Sequence, residues 1–376
     1  GLKVFDWEIP DEWNIYDAYI EHKSGERFAE FSKNNLHILG YSVPCNINLP
    51  LAELLPHIYT QKNQPDVIPY VTSYYNNIWG FCMSDDDKKS MPDGEYNVVI
   101  DAKRGPGSLE IADLVIEGVS SKEIFFSTYV CHPSMANNEL SGPVLSTALI
   151  QYIKLKYKNP KYTYRFVFAP ETIGAIAYLS NNIESLQDKV ICGFNLSCVG
   201  DERAYSHVES RTGNTLADSA LQSALIGLDN VTTYSFLERG SDERQYCSPG
   251  VDLPFCGFCR TKYGEYHTSA DNFDVVTADG LNGSFNVMKT IIDAFEVNLF
   301  PKINVKCEPQ LGKRGLRPNI SQKGYMGDIT TRSNFIAYAD GEHSLFDIAN
   351  LINKNLKFVI EEVVILTKHR LIEDKE

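Results

Sequence analysis

The chain has 376 residues, of which 43% are hydrophobic and 22% charged, and its formal net charge is −14. This composition is typical of a soluble globular protein, and the length favours two or three domains. The acidic balance argues against a general polyanion binder, because neutralising phosphates requires a basic surface. The sequence has no apolar run of eighteen residues, and no basic segment followed by an apolar stretch opens it. We therefore expect neither a membrane span nor a secretory signal.

The nine cysteines, an odd number, are spread over the whole length and do not resemble a disulfide framework. Cys256 and Cys259 form the one CxxC pair of the sequence, at the end of the apolar run Leu253–Phe258. Because no second CxxC pair completes a zinc site, we interpret these residues as reduced core thiols. The chain is therefore expected to be a cytoplasmic protein.

The first hundred residues contain two segments of different character. Gly1–Glu30 mixes aromatic residues with charges and is expected to pack as an arm on something larger. After it come short β-like runs separated by turn signals, namely Leu36–Val43, Ile68–Ser73, Ile78–Met83 and Tyr96–Ile100. We predict a small β-rich insert over residues 36–106.

From Glu123 onward, apolar strands alternate with amphipathic helices. The predicted strands are Glu123–Val130, Tyr164–Ala169, Val190–Val199 and Leu253–Arg260, and the predicted helices are Gly142–Leu155, Ile173–Ser180, Leu216–Ile226 and Phe285–Leu299. This alternation predicts an α/β fold with a mixed, largely parallel central sheet flanked by helices. In such sheets ligands bind beyond the carboxyl ends of the strands, and polar clusters follow those ends here.

The sequence changes again after Pro301. A basic loop, Gly312–Pro318, precedes a strand-like run, Asn334–Tyr338, and two helices, Leu345–Leu351 and Phe358–His369. A capping serine before the first of these helices completes a pattern typical of a small winged-helix-like module. We therefore divide the chain into an α/β core (1–35 and 107–302), the insert (36–106) and a C-terminal module (303–376).

The densest polar cluster, Tyr129–Gly142, follows the first core strand and contains His132, Asn138 and Glu139. An imidazole followed by amide and carboxylate oxygens suits a divalent metal ion. The alternative is a helix-capping loop in which His132 makes an ordinary hydrogen bond.

Two further strand ends carry single carboxylates. Glu171 could act as a general base, or it could simply be a carboxylate favoured by the dipole of the following helix. Asp201, in the stretch after Asn195, could be a metal ligand or a turn residue.

Two polar loops complete the set of candidate residues. The first, Gly240–Cys247, contains Asp242, Glu243, Arg244 and Tyr246, and the second, Lys262–Asn272, contains Tyr266 and His267. Because the fold brings strand ends together, we expect these loops to lie near the earlier clusters.

The order of these clusters resembles the zinc-dependent aminopeptidase superfamily, which also includes the glutaminyl cyclases. The matching stretches, in order, are Ala136–Gly142, Glu171–Gly174, Asn195–Gly200, Ser241–Asp242 and His267–Asp271. More narrowly, the chain looks like an aminopeptidase-like family linked with polysaccharide-biosynthesis genes, which has an inserted small domain and a C-terminal winged helix. The stretches Pro69–Tyr75, Trp79–Cys82, Cys131–Pro143 and Ser241–Gly250 carry that narrower match. The resemblance implies His132 and His267 as metal ligands and Glu171 as the base.

Three positions depart from the superfamily pattern. Asn138 stands where the bridging aspartate would be, Thr172 where a second glutamate would be, and Ser197 where a further aspartate would be. Two dications among so few carboxylates would be poorly compensated, so we expect one zinc or similar divalent ion rather than two. Glu139 and Asp201 are our own additional ligand candidates, and Asn138 remains a weak neutral one.

The functional prediction is a metal-dependent hydrolase of a peptide-like amide, in which a metal-activated water gives its proton to Glu171. The five residues assigned to substrate binding are Asp242, Glu243, Arg244, Tyr246 and Tyr266. One alternative is an amidohydrolase acting on a modified sugar. Another is a degenerate peptidase fold whose winged helix docks DNA or a protein. The expected partner is a small amide-bearing substrate, with self-association left open and neither nucleic acid nor membrane expected.

Overall fold

The computed structural model describes residues 1–317 and 327–373. Its first part is built around an antiparallel four-stranded sheet with the strand order β2–β1–β4–β3. The strands are β1 (Glu12–His22), β2 (Arg27–Phe28), β3 (Cys45–Pro50) and β4 (Glu95–Gly105). Alternate residues point inward, as the two-residue period of a strand requires, and Ile20, Val98 and Ile100 are buried with Phe81 in one core.

Strand β1 pairs with β4 along its whole length, from Glu12 opposite Gly105 to His22 opposite Tyr96. The first 35 residues therefore contribute the longest strand pairing of this small sheet, whereas the sequence had assigned them to the α/β core. The reason is that the partner strand lies some eighty residues further along the chain, so local sequence carries no sign of the pairing.

Three of the four β-like runs predicted for the insert do not form full strands. The structure has a two-residue ladder, Ile58–Tyr59 with Phe81–Cys82, and isolated bridges such as Gly40 with Thr72. Positive φ angles at Tyr41, Tyr74 and Tyr75 interrupt the pleat, because a strand requires negative φ. The remaining short elements are the ribbon Lys3–Val4 with Trp7–Glu8, the helices Leu51–Leu54 and Asp85–Ser90, and 3₁₀ turns at Asn35–His37 and Leu55–His57.

The large sheet has seven strands in the order β10–β9–β11–β8–β6–β7–β5. They are β5 (Ala112–Ile116), β6 (Ser120–Tyr129), β7 (Tyr162–Ala169), β8 (Val190–Leu196), β9 (Tyr205–Val208), β10 (Val231–Tyr234) and β11 (Phe255–Cys259). Four of the six pairings are parallel and two, β7 with β5 and β9 with β11, are antiparallel. The predicted mixed, largely parallel sheet is confirmed.

Helices cover both faces of this sheet. The main ones are α1 (Ser141–Lys156), α2 (Ile173–Lys189), α3 (Leu216–Leu225) and α4 (Ala278–Glu296), with short turns at Phe236–Glu238 and Glu243–Tyr246. Ile124 and Phe126 of β6 face a core shared with α1, α3 and α4, while Phe125 faces a core shared with α2. Burial on both faces explains why three consecutive residues of β6, Ile124–Phe126, are apolar instead of alternating with polar ones.

The C-terminal module contains α5 (Gly327–Tyr338), α6 (Leu345–Leu351) and α7 (Leu356–Lys368), preceded by a short 3₁₀ turn at Gly312–Arg314. The predicted strand Asn334–Tyr338 is wrong, because these residues form the end of α5, where Phe335 and Ile336 join the main core. Pro318, at the end of the predicted basic loop, lies outside the described residues. Ser344 caps α6 as predicted, accepting a hydrogen bond from the Asp347 amide.

The module packs directly on the α/β core. Phe346 meets Phe295 edge to face, with ring centroids 5.1 Å apart, and the Asn355 side chain donates to the Ile226 carbonyl at 2.7 Å. Its first helices therefore share the hydrophobic core of α3 and α4.

Within residues 1–317 and 327–373, we find no helix that combines the length and the apolar character needed to cross a membrane. All nine cysteines are free thiols, and Cys256 is fully buried, as predicted for a core position.

The ion pair between Glu123 on β6 and Arg165 on β7 joins the first halves of the two strands. Both bonds are short (2.6 and 3.0 Å) and the Glu123 side chain is buried. We expect Glu123→Gln to destabilise the protein by on the order of 3 kcal/mol in denaturant titrations, because the mostly buried guanidinium loses its nearer counter-charge and keeps only the half-exposed Asp113 carboxylate, 3.5 Å away. Glu21→Gln makes the same change in the solvent-exposed pair with Arg27 and should leave the midpoint within error. Equal losses in both variants would contradict this ranking.

Candidate active site

The parallel register places four strand ends at one edge of the large sheet. Tyr129 of β6 lies opposite Ala169 of β7, Ser127 lies opposite Asn195 of β8, and Asn195 lies opposite Gly257 of β11. The loops that follow these strands carry the predicted residues. His132, Glu171, Arg244 and His267 all line one cavity, so the predicted convergence of these four is confirmed.

Two imidazoles form the centre of this cavity. The ring centroids of His132 and His267 are 5.0 Å apart, and His132 Nε2 lies 3.7 Å from Glu171 Oε2. His267 adopts a positive φ of 57°, a strained conformation of the kind that concentrates at functional sites. Burial, with a smaller contribution from His132, lowers the pKa of His267 to about 4. His267 is therefore neutral at pH 7, which is the form that binds a metal ion.

Glu139 orients His132. One carboxylate oxygen accepts from His132 Nδ1 at 3.1 Å, and the other accepts from the Cys131 backbone amide. This leaves Nε2 of His132 directed toward Glu171. A carboxylate that fixes the tautomer and orientation of a histidine is the usual partner of a metal-binding imidazole. The geometry favours this positioning role for Glu139 over the direct ligand role predicted from sequence.

A single π-helical turn, Ala136–Leu140, carries Asn138 into the site. Asp271 holds this turn, because its two oxygens accept from the Asn137 and Asn138 amides at 2.6 and 2.9 Å. Asn138 Nδ2 donates to the Tyr129 hydroxyl at 3.0 Å. Asn138 Oδ1 is buried and has no hydrogen-bond partner among the described residues. It is therefore an unsatisfied acceptor inside the protein.

Asp201 has the environment of a turn residue, which was the alternative to the metal-ligand role. Its oxygens accept from the Arg203 amide, from the Thr261 amide and hydroxyl, and from the Asn137 side chain. Four donors fill the lone pairs of a carboxylate, so this geometry favours a structural role for Asp201, tying the β8 and β11 loops together.

Glu171 begins a strained turn. The Ile173 amide donates to the Glu171 carbonyl at 2.8 Å, and Thr172 between them has φ 65° and ψ −76°. This is the rare γ-turn with positive φ, which costs energy for a β-branched residue. Asp242 accepts from the Thr172 amide at 2.7 Å, and Arg244 donates to the Thr172 hydroxyl at 2.7 Å. These contacts hold the Glu171 side chain at the cavity wall.

Burial raises the pKa of the Glu171 carboxyl, and the neighbouring His132 and Arg244 charges oppose that rise. Burial also raises the pKa of Asp242, with Glu171 adding to the effect. A buried carboxyl with a raised pKa beside an imidazole is a common property of catalytic sites.

The remaining predicted substrate residues separate into two groups. Tyr266 is 43% exposed and stacks on His267 with centroids 3.8 Å apart. Glu243 is buried and accepts from the Gly240 and Ser241 amides and from Asn195. Tyr246 was assigned to substrate binding incorrectly: it is 0% exposed, stacked on Phe255 and hydrogen-bonded to Ser127. Its polar end is satisfied inside the core, so it has no surface to offer a ligand.

Sequence analysis gave no role to Tyr70, which the insert contributes to the site. Its ring lies edge-on to both His132 and His267, with 5.2 Å between centroids in each case. The Tyr70 amide donates to the His267 carbonyl at 2.8 Å, and Ile68 and Ser269 exchange hydrogen bonds beside it. The signal available in the sequence was the Pro69–Tyr75 motif, whose spatial partner could not be known.

The residues present fit one divalent ion better than two. His267 Nε2 and Asn138 Oδ1 are both buried and unpartnered within the described part of the chain, and His132 Nε2 lies near Glu171. By type these are two imidazole nitrogens, one neutral oxygen and one carboxylate, which are donors that zinc accepts. Among the described residues, Cys131, His132 and Glu139 also bring their ligand atoms within 4.8 Å of one another, so the ligand role predicted for Glu139 stays a prediction. Thr172 and Ser197 supply no carboxylate for a second ion.

The sheet order, the strand-end histidines and the C-terminal helices define the class: an aminopeptidase-like α/β fold with a winged helix appended. The chain belongs to the family described as a domain of unknown function, DUF4910, whose model matches residues 1–298. A winged helix-turn-helix model, HTH_47, matches residues 299–374.

Relatives from Clostridium acetobutylicum cover nearly the whole chain. One, provisionally named a polysaccharide biosynthesis protein with an aminopeptidase-like domain, is 41% identical over 93% of this chain and 81% of its own. A crystal structure of a protein provisionally named a peptidase superposes with a TM-score of 0.89 at 37% identity, covering 99% of this chain and 86% of the other.

A zinc aminopeptidase from Bacillus subtilis has a TM-score of 0.54 at 13% identity, covering 76% of this chain and 82% of its own. At this identity the likeness concerns the fold alone. The expected peptidase-like fold and winged helix are therefore confirmed.

The strained turn at Thr172 can be tested with two substitutions that both remove the hydroxyl. Glycine adopts positive φ without cost and alanine does not. We therefore expect Thr172→Gly to be more stable than Thr172→Ala by about 1 kcal/mol in denaturant titrations. At an ordinary position the order is reversed, so an alanine variant that is the more stable of the two would show that the turn is unstrained.

Proposed function

We propose that this protein is a metal-dependent hydrolase that cleaves an amide bond of a small peptide-like substrate, with Glu171 as the general base. The observation that carries the proposal is the grouping of His132, His267 and Glu171 in one cavity, with centroids of the two imidazoles 5.0 Å apart. The aminopeptidase-like fold supports the reaction class by analogy.

His132 and His267 would hold the ion, with Asn138 as a neutral oxygen ligand. When bound, a divalent cation supplies Lewis-acid chemistry, polarising a carbonyl and making water a stronger acid. The unused acceptors on Asn138 and His267 support a single occupant. Glu139 acts indirectly, by keeping His132 Nε2 free of its proton.

Glu171 would take the proton from the attacking water and pass it to the leaving amine. A carboxyl whose pKa is raised by burial is closer to the operating pH, which makes it a more effective base and then a more effective acid. Asp242 and Arg244 keep Glu171 in place by fixing the Thr172 turn. They are positioning residues in this proposal, rather than the substrate contacts expected from sequence.

A second cavity of about 370 Å³ adjoins the site and is lined by Tyr266, Ser197, Phe258 and Glu243. Its walls are mostly apolar, with a few polar groups, as in small-molecule pockets generally. We assign it to the group on one side of the scissile amide, with the exposed Tyr266 hydroxyl as a donor to the substrate carbonyl.

The proposal is tested by counting metal ions on the purified native protein by elemental analysis. We expect about one equivalent of a divalent transition metal, lost in His267→Ala because a ligand is removed. In Glu171→Gln we expect the metal to remain while hydrolysis of aminoacyl-anilides falls by at least about a hundredfold. His343→Ala removes a solvent-exposed imidazole paired with Asp340 and serves as the control. Native protein without metal, and with no thermal response to added Zn²⁺, would refute the proposal in favour of a non-catalytic scaffold.

The missing bridging carboxylate gives a second test. Asn138→Asp places a buried negative charge near the Asp271 carboxylate that holds the Asn138 amide, so the metal-free variant should be less stable than the native protein. Added Zn²⁺ should then raise its melting temperature by more than it raises that of the native protein, since the ion neutralises the new charge.

Asn195→Asp is the matched control for that experiment, because Asn195 is also buried with an unpartnered Oδ1 within the described chain, but its amide donates to Glu243. It should lose stability without recovery by Zn²⁺. Equal zinc responses in the two variants would contradict the assignment of Asn138 to the metal site.

A further inference from the structure

The cavity that contains the two histidines is far larger than a single amide requires. It extends between the small sheet and the α/β core and encloses about 1380 Å³. Pockets for drug-sized ligands measure roughly 300–1000 Å³. The groove therefore has room for a substantial part of a substrate beyond the reacting bond, and such a part would lie against the insert.

Aromatic rings form the wall of this groove on the side of the small sheet. Trp13 stacks on Tyr41 with centroids 5.7 Å apart and planes 20° apart, and Tyr75 meets Tyr41 edge-on at 4.8 Å. The Trp13 indole nitrogen donates to the Ser42 carbonyl at 3.0 Å, which fixes the ring. Together with Tyr70 and Tyr74, these residues form what we call the aromatic wall.

Three members of the aromatic wall have left-handed backbone conformations. The φ angles are 64° at Tyr41, 47° at Tyr74 and 68° at Tyr75. Each costs energy for a bulky residue and persists where function requires it. Tyr74 is 80% exposed, so hydrophobic burial does not offset the cost at that position. Burial therefore does not account for the strained backbone at Tyr74.

Polar residues with few cations also line the groove, some next to Trp13 on the small-sheet side and others on the α/β core. Among them are Asp11, Glu12, Asn35, Asn181 and Gln245. Carboxylate and amide oxygens accept hydrogen bonds from neutral hydroxyl groups, while the acidic pair repels polyanions. Aromatic rings with hydrogen-bond acceptors beside them fit a polyhydroxylated ring, whose C–H face packs on the negative face of an aromatic ring.

We propose that the groove binds a saccharide and that the amide hydrolysed at His132 and His267 is carried on that sugar. This inference rests on the proposed hydrolase function and names its substrate class. Water adds its oxygen to the acyl carbon, the C–N bond breaks, and the proton ends on the sugar nitrogen, giving a carboxylic acid and an amino sugar. The name of the 41%-identical relative, which refers to polysaccharide biosynthesis, agrees with this class.

A long peptide is the competing occupant. Extended peptides are generally bound through main-chain hydrogen bonds to a strand edge. The groove instead presents aromatic faces from Trp13, Tyr41 and Tyr75, so the saccharide is the better fit.

The test is calorimetric titration of full-length Glu171→Gln protein, which does not turn over ligand, with triacetylchitotriose and separately with tetra-alanine. We expect saturable binding of the trisaccharide and at least tenfold weaker or no binding of the peptide. Adding Trp13→Ala or Tyr75→Ala should weaken trisaccharide binding at least tenfold, whereas Trp13→Phe, which keeps a ring, should weaken it less. Tyr16→Ala is the control, because Tyr16 is an exposed aromatic on the same strand outside the lining residues described for the groove.

Failure of this inference and failure of the proposed function give different results. Absence of trisaccharide binding, or equal weakening by Tyr16→Ala and Trp13→Ala, overturns the saccharide assignment, and a preference for tetra-alanine replaces it with a peptide. Either result leaves the hydrolase proposal standing if the native protein holds its metal and cleaves amides. If a protein that holds no metal binds the trisaccharide, the saccharide-binding groove is supported and the proposed hydrolase activity is refuted.

Discussion

Charge burial at the carboxyl edge of the central sheet governs the whole site. Five carboxylates are almost fully buried there, namely Glu139, Asp201, Asp242, Glu243 and Asp271. An unpaired charge in such a place costs several kcal/mol, so each must be partnered. The partners are mostly backbone amides: Asp271 holds the π-helical turn, Asp242 holds the Thr172 turn, and Glu243 holds the loop before it. Carboxylates that could otherwise bind metal ions instead stabilise loops by accepting hydrogen bonds from backbone amides.

This use of carboxylates explains why the site differs from a two-metal arrangement. The positions that face the cavity carry two imidazoles, one neutral amide and Glu171, and the chain compensates for the buried acids internally. The proposed single ion would face one carboxylate, Glu171, and requires less counter-charge than a pair of ions. Because these acids accept hydrogen bonds from nearby donors, Glu139 orients His132 and Asp201 has a structural role. Both were ligand candidates in the sequence.

The small sheet is part of the site rather than an appendage. Its segment around Tyr70 hydrogen-bonds to the loop that carries His267, and its Trp13, Tyr41 and Tyr75 line the cavity. In the proposed function, substrate selection and chemistry would therefore come from different layers of the molecule. The fold of the α/β core supports the reaction class, and the insert supports the choice of substrate.

The sequence by itself determined the α/β class, the largely parallel sheet, the C-terminal helical module and the convergence of His132, Glu171 and His267. These follow from local periodicity and from motif order along the chain, which tertiary packing does not alter. The prediction for Asn334–Tyr338 was wrong, because a short apolar run is compatible with either a helix or a strand. The prediction for Tyr246 was wrong because the sequence does not show whether a tyrosine side chain faces the core or a ligand.

Only the tertiary structure decided which carboxylates are satisfied by hydrogen bonds from the protein and which face the cavity. Three features depend on contacts between residues far apart in the chain. They are the pairing of β1 with β4, the hydrogen bond from the Asn138 amide to Asp271, and the packing of Tyr70 against both histidines. Such contacts are set by packing rather than by local propensity, so the electrostatic character of the site appears only when the folded chain brings each acid to its donor.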